Sequence, residues 1–336
     1  MVSVIVCAHN EEVYIEQCLQ SLYSQSCGNK NYEIIVINDY STDKTDSIIK
    51  GFINDRSEVK GPEITYKTLR HSGLSVARNT GIELSSGDIV AFIDGDAVAM
   101  FNWVEEIYKY FDNIADNAII GGPIELLNTE SDFAKLIYNS FQSLDINSNK
   151  AIYGTNMAFT KSLFDSDTLF NPVFMSRGDE TFVFRKMKIK YGIEPIQIST
   201  IIVKHECPES KQAWLKTRYY NGYFGSIIDQ LLGSKIIKKS IVNNLFIMIM
   251  LFSLPILSLL MLINFNISYV GVMFLILLLL YNRLFKTLFR YTAEYYRNIG
   301  TDTTMKDILM IFYLGLVGTF NAFRGYVEAT KSGNAY

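Results

Sequence analysis

The sequence predicts an α/β fold, a mainly parallel sheet with helices on both faces, followed by an α-helical apolar region. Three observations carry this. Short β-branched runs alternate with amphipathic segments through the first 230 residues, and polar residues gather just after those runs. From Val242 onward the chain turns into long stretches without charge. Strand alternating with helix at such spacing demands right-handed crossovers, and therefore parallel pairing.

The elements follow in order. Val2 to Val6 is the first strand, and Cys7-Ala-His-Asn-Glu11 is a polar loop opening a helix that carries Ile15, Leu19 and Leu22 on one face. Asn10 is the expected N-cap, with Glu11 and Glu12 in the first turn, where the helix dipole favours negative charge. Glu33 to Ile37 is the second strand, closed by Asn38-Asp39, and Asp43 caps the helix after it. Ile64 to Leu69 is the third. An amphipathic segment with Leu74, Ala77, Gly81, Ile82 and Ser85 then runs to Gly87-Asp88. The apolar run Ile89 to Ile93 behind it reads as a buried parallel strand, and it stops at Asp94-Gly95-Asp96.

Open α/β sheets bind ligands beyond the carboxyl ends of their strands, which is where Asp39, Asp94 and Asp96 fall. Residues i and i+2 of a strand point the same way, so Asp94 and Asp96 can reach one ion. Mg²⁺ and Mn²⁺ prefer oxygen ligands and typically take one or two carboxylates when a phosphate supplies the rest. The pair therefore suits a metal clamp on a diphosphate; the other reading of the same residues is an ordinary Asp-Gly turn. A dinucleotide-binding turn is excluded, because Cys-Ala-His-Asn-Glu-Glu follows the first strand, and no phosphate loop with a Gly-Lys-Ser/Thr ending occurs. Ala97-Val-Ala-Met100 excludes a calcium loop.

Over 336 residues the chain is 49% hydrophobic with mean hydropathy +0.14, and its net charge of −3 averages two unlike regions. No nucleic-acid partner is expected. Cys7, Cys18, Cys27 and Cys207 show no paired spacing and read as reduced thiols of a cytoplasmic domain. With a strand expected at Val2–Val6 and no basic segment before it, no signal peptide is expected.

The segments VSVIVCAHNEE, VINDYSTDKT, GLSVARNTGI, SSGDIVAFIDGD and GTNMAF together resemble the family 2 glycosyltransferases of the GT-A fold, over about residues 2 to 225. The resemblance implies a nucleotide-sugar donor, UDP- or GDP-linked, and Mn²⁺ or Mg²⁺. It implies that Ala8, His9 and Glu11 line the nucleoside pocket, with Glu11 on the ribose, and that Asp39 accepts from the base edge. Arg78 would sit near the diphosphate or orient Asp94, a choice that suits a guanidinium fork. Asp94 and Asp96 would hold the metal, with His205 as a further ligand of the metal or the diphosphate. Gly154 and Asn156 belong to the acceptor-side loop that would close on the sugars. Asp179-Glu180 resembles the signature whose acidic residue is the base in inverting members, and register with the preceding glycine and Arg185 favours Glu180 over Asp179. Cys7-Ala8-His9 and Tyr40 depart from the usual pattern.

The catalytic domain is assigned to 1–230 and a membrane-anchoring region to 231–336, with spans expected at 242–263, 267–285 and 308–323. The first two are 22 and 19 residues, near the ~20 that cross a bilayer core. Lys235, Lys238 and Lys239 before them and Arg283, Lys286 and Arg290 around and after the second place the flanks, and with them the catalytic domain, on the cytoplasmic side of a multi-pass protein in the cell membrane. Gln-x-x-Arg-Trp, the mark of processive synthases, is absent, which favours single-sugar transfer. The expected acceptor is a lipid-linked saccharide. The alternatives are a polyprenyl-phosphate sugar synthase and, in another class, a catalytically silent membrane scaffold.

Overall fold

A computed structural model describes residues 1–28, 31–114, 116–145, 152–236, 238–239 and 305–331. They fall into two compact units, Met1–Ser131 with Ser148–Cys207, and Asp132–Asn147 with Pro208–Ala335.

The first unit is built on a seven-stranded sheet. Its half nearest the N-terminus alternates β1 (Val2–Ala8), α1 (Ile15–Tyr23), β2 (Tyr32–Asn38), α2 (Thr45–Asn54), β3 (Glu63–Thr68), α3 (Leu74–Leu84) and β4 (Ile89–Asp94). β5 (Ala97–Ala99), α4 (Trp103–Asp112), β6 (Ile119–Gly121) and β7 (Ile124–Leu126) follow. In the second unit comes α5 (Asp132–Asp145), and the chain then returns to the first through β8 (Met157–Thr160), α6 (Asp179–Tyr191), β9 (Ile196–Gln197) and β10 (Val203–His205).

The order in the large sheet is β3-β2-β1-β4-β8-β6-β9. The first four strands are parallel, as expected, but β8 runs antiparallel to both β4 and β6, so the whole sheet is mixed. A smaller sheet has the order β5-β10-β7.

Period-two alternation explains the two core layers. Val2, Val4 and Val6 of β1 pack with Ile15, Leu19 and Leu22 of α1 and with Trp103 and Ile107 of α4. Ile5 faces the other way, joining Ala77 and Ile82 of α3 and Val183 and Met187 of α6. Each of these fully buried aliphatic side chains contributes roughly 1.5–3 kcal/mol relative to exposure, enough to fix the register of every parallel strand.

Local expectations shift at the loops. Asn10 is not an N-cap: it has φ 60°, its Oδ1 accepts from Thr42 N at 2.8 Å, and α1 starts only at Ile15. Long-range bonding to the loop after β2 outcompetes the local cap. Asp43 does serve its helix, with Oδ1 accepting from Thr45 N at 3.0 Å. Late in the unit, β10 is a short strand, Val203–His205, and α6 begins at Asp179.

In the second unit α7 (Lys211–Leu231) packs along α8 (Met305–Lys331). Their backbones come so close that a Cβ on Gly222 would lie 1.7 Å from the carbonyl oxygen of Ala322. The longer of the unit's two segments begins at Pro208, so α7 belongs with its partner α8. The spans expected at 242–263 and 267–285 lie outside the described residues. The run 308–323 is the middle of α8, and among the described residues no helix is long and apolar enough to cross a membrane. Its apolar stretch is shorter than a bilayer core requires, and the helix continues into Arg324, Glu328 and Lys331.

Candidate active site

Strand pairing assembles the first group of side chains. Asp94 ends β4, and Gly95-Asp96 is the turn that carries the chain into β5. β5 pairs antiparallel with β10, placing Ala97 opposite His205. His205 Nε2 thereby comes within 3.3 Å of Asp96 Oδ2, and one ligand atom from each of Asp94, Asp96 and His205 lies within 4.8 Å of the other two. Asp96 Oδ1 is buried with no hydrogen-bond donor. A buried carboxylate oxygen left without a partner costs about 1–3 kcal/mol, and a cation is what such an atom lacks. Two carboxylates and an imidazole fit Mn²⁺ or Mg²⁺ with other positions open for phosphate oxygens.

The electrostatics of the group agree. Burial works against the ionised form of Asp96, but the His205 ring, by charge and hydrogen bond, brings its pKa below the usual carboxylate value. Burial lowers the His205 pKa, and Asp96 more than reverses that, lifting it to about 9. Asp94 is held above the usual range, chiefly by burial, with Asp96 adding to it and Arg78 opposing. Glu11 stands against the same turn, so close that a Cβ on Gly95 would be 3.2 Å from its Cγ. Burial and then the charges of Asp96 and Asp94 push its pKa to about 8. The concentration of acid is more than its histidine neutralises.

Arg78 organises the other half. It projects from α3 into the interior and is 2% exposed. Nη1 donates to Asp179 Oδ2 at 2.6 Å; Nη2 donates to Asp94 Oδ1 and to the Gly154 carbonyl, each at 3.1 Å. Burial opposes its charge, yet the two carboxylates hold its pKa above normal. Gly154 is required here, since a Cβ would sit 2.7 Å from Nη2. Of the two expectations for Arg78, its bonds match the orienting of Asp94.

At the start of α6 the two acids separate sharply. The Asp179 side chain is 1% exposed and tied to Arg78. Glu180 is half-buried, and its pKa is raised to about 8 by burial first and by Asp179 second. A side-chain hydrogen bond with Asp179 adds to the rise, and Asp179 Oδ1 is buried. Glu180 is thus a carboxyl poised near neutrality beside a carboxylate locked in place.

On the far side of β1 lie the residues expected around a nucleoside. His9 is exposed, and its Nδ1 is 2.7 Å from the Asp39 carbonyl oxygen. The Asp39 carboxylate is buried and accepts from Ser72 N at 2.6 Å and Gly73 N at 2.7 Å, which ties the loop before α3 to the end of β2. Ala8 is buried in the core behind them. Asn156 is fully buried: its Oδ1 accepts from Trp103 Nε1 at 2.9 Å, and its Nδ2 donates to the carbonyls of Ile201 and Pro123. Both amide hydrogens and the amide oxygen of Asn156 are thus engaged within the fold, tying the loop after α5 to α4. His71, which no motif singled out, stands beside His9, and Glu206 adds its charge to the Glu11 group. Each comes just after a strand, His71 after β3 and Glu206 after β10, the one signal that could have found them.

Residues 3–169 match the family model described as Glycosyl transferase family 2. Glycosyltransferase AglE of Haloferax volcanii is 32% identical over 163 residues, 48% of this chain and 51% of that protein. The Methanococcus voltae protein named dolichyl N-acetyl-alpha-D-glucosaminyl phosphate 3-beta-D-2,3-diacetamido-2,3-dideoxy-beta-D-glucuronosyltransferase is 26% identical over 230 residues, 64% of this chain and 70% of that protein. The chain spans about half the length of the first of these relatives. Among solved structures, the mannosyltransferase PcManGT from Pyrobaculum calidifontis in complex with GDP-Man and Mn²⁺ has a TM-score of 0.59 at 14% identity, covering 99% of this chain and 88% of that one. At that identity the likeness is one of fold, a GT-A-like α/β arrangement.

Proposed function

On the premise that residues 3–169 are a family 2 glycosyltransferase domain, we propose that the protein is an inverting, metal-dependent glycosyltransferase. It moves one sugar from a UDP- or GDP-linked donor to a lipid-linked saccharide. The observation that carries this reading is the joining of Asp179, and with it the neighbouring Glu180, to the Asp94–Asp96–His205 cluster through one buried arginine.

Asp94, Asp96 and His205 would hold Mn²⁺ or Mg²⁺. Bound there, the ion supplies charge to neutralise a departing diphosphate. The rest falls to the chain's own side chains. Glu180, once ionised, takes the proton from the acceptor hydroxyl as that oxygen attacks the anomeric carbon, and its raised pKa gives it the basicity for the task. Asp179 accepts from Arg78 and keeps the first turn of α6 in place. Arg78 fixes the Asp94 carboxylate through the same guanidinium, so the base-bearing helix and the metal-bearing strand share one anchor. His9 and Asp39 face the base, and Glu11 faces the ribose.

The lipid-linked acceptor draws support from the name of the Methanococcus voltae relative, which specifies a dolichyl-linked sugar phosphate. The apolar runs 242–263 and 267–285, with no charge before Arg283, would confine the cytoplasmic catalytic domain to the membrane that carries such an acceptor.

The test is transfer by the full chain in membranes, with a panel of nucleotide sugars, Mn²⁺ or Mg²⁺, and either lipid-linked saccharide or polyprenyl phosphate. Transfer to the saccharide is expected, and Asp96→Ala should lower it on the order of a hundredfold or more while abolishing metal-dependent donor binding. Transfer to polyprenyl phosphate alone would replace the acceptor assignment. Turnover with none of the donors would leave a binding scaffold.

A further inference from the structure

We propose that His9, Asp39 and His71 form a second divalent-cation site, one suited to a nitrogen-preferring ion such as Zn²⁺ or Ni²⁺. The whole chain contains three histidines. One is His205; the other two, 62 positions apart in sequence, meet at the carboxyl ends of β1 and β3 with the Asp39 carboxylate beside them.

Four observations support the site. One ring nitrogen of each histidine and a carboxylate oxygen of Asp39 all lie within 4.8 Å of one another. His71 Nδ1 is 3.9 Å from Asp39 Oδ2, and the two rings are 4.8 Å apart. Ligands bound at about 2.0–2.2 Å span a little less than this across a tetrahedral zinc, so a small rotation of the exposed His71 ring closes the set.

The state of His9 is also that of a ligand. Its Nδ1–H points at the Asp39 carbonyl oxygen, which leaves the lone pair on Nε2; Asn10 Nδ2 approaches that lone pair only loosely, at 3.3 Å. A ring N–H donated to a backbone carbonyl is the usual way a metal-binding histidine is held in its tautomer. Each Asp39 oxygen accepts one backbone N–H and keeps another lone pair for an ion.

Finally, the backbone is strained around these residues. Among the described residues, the non-glycine residues with positive φ are Asn10, Tyr40 and His71, at 60°, 58° and 50°. The first two follow His9 and Asp39; the third is itself a donor. Such strain costs about 1–3 kcal/mol at each position and gathers where ligands are gripped.

The donor set separates this site from Asp94–Asp96–His205. Two imidazoles and one carboxylate favour Zn²⁺ or Ni²⁺, whereas the carboxylate-rich cluster favours Mn²⁺ and Mg²⁺. An ion at His9 would also hold the ring assigned to the donor base. Resting on the glycosyltransferase reading, this makes Zn²⁺ an inhibitor that competes with the nucleotide sugar.

Equilibrium dialysis against Zn²⁺ tests the site without any transfer reaction, so its outcome is independent of that reading. Asp96→Ala, which disables the carboxylate-rich cluster, should still take up Zn²⁺ and should show no matching uptake of Mn²⁺. Adding His71→Gly should weaken Zn²⁺ uptake about tenfold or more, and His9→Gln should do the same. His71→Gly also relieves the left-handed backbone, so a loss of binding is not a loss of fold; circular dichroism checks this. Zn²⁺ uptake unchanged by both histidine substitutions would overturn the proposal.

Discussion

The carboxyl edge of the sheet has two ends built on opposite principles. Around β4, charge is buried and tied: Arg78 and Asp179 are almost wholly enclosed, and Asp94 hangs from the same guanidinium. Around the ends of β1, β2 and β3, the polar side chains of His9 and His71 are exposed, and loop backbone holds the buried acid Asp39. The first arrangement fixes atoms before any ligand arrives, which electrostatic catalysis requires. The second can adapt to what binds. One fold places rigidity where charge moves and freedom where a ligand is recognised.

The sharpest way to break this contrast is to remove its hub. Arg78→Met leaves Asp94 and the deeply buried Asp179 uncompensated, and urea unfolding should show a loss of about 3–5 kcal/mol. His71→Gly at the other end should stay within about 0.5 kcal/mol of the parent. Equal losses would erase the distinction.

Next in size is the division between neighbouring acids. Glu180→Gln should lower turnover by roughly a hundred- to ten-thousandfold with little change in donor KM. Asp179→Asn should instead lower stability, since it loosens Arg78. If Asp179→Asn collapses turnover in a protein of parental stability, the roles are exchanged.

The smallest effect is in pH dependence. Glu11 and Glu180 both rise from an ordinary 4.5 to about 8 on folding. Between those values the folded chain keeps protons that the unfolded chain has released, so this part of the stability is complete below pH 4.5 and lost as pH rises through about 8. The Tm of metal-free protein should fall across that window, and Glu11→Gln should flatten the fall. Transfer should follow the opposite course, rising as Glu180 ionises. A Tm that rises over the same range would contradict the acid pairing.

Much of the site was legible in order along the chain, because a parallel strand delivers whatever follows it to one edge. Asp39, Asp94 and Asp96 are found from that rule alone. The bonding of Asn156 was not legible, because the motif around it says nothing about which way an amide turns, and its partner Trp103 lies 53 positions away. Asn10 was misjudged for the same kind of reason: its partner Thr42 belongs to another loop.

By itself, then, the order of residues determined the alternation of strand and helix, the two-faced core and the gathering of acids at one edge. All of these come from hydrophobic periodicity, which acts over a few residues. Only the tertiary structure decided that Asp179 would be locked and Glu180 left to titrate, that Arg78 would be the anchor between them and Asp94, and that His71 would meet His9. Those pairings join residues tens of positions apart, and strand register and helix packing set their distances, which no local period encodes.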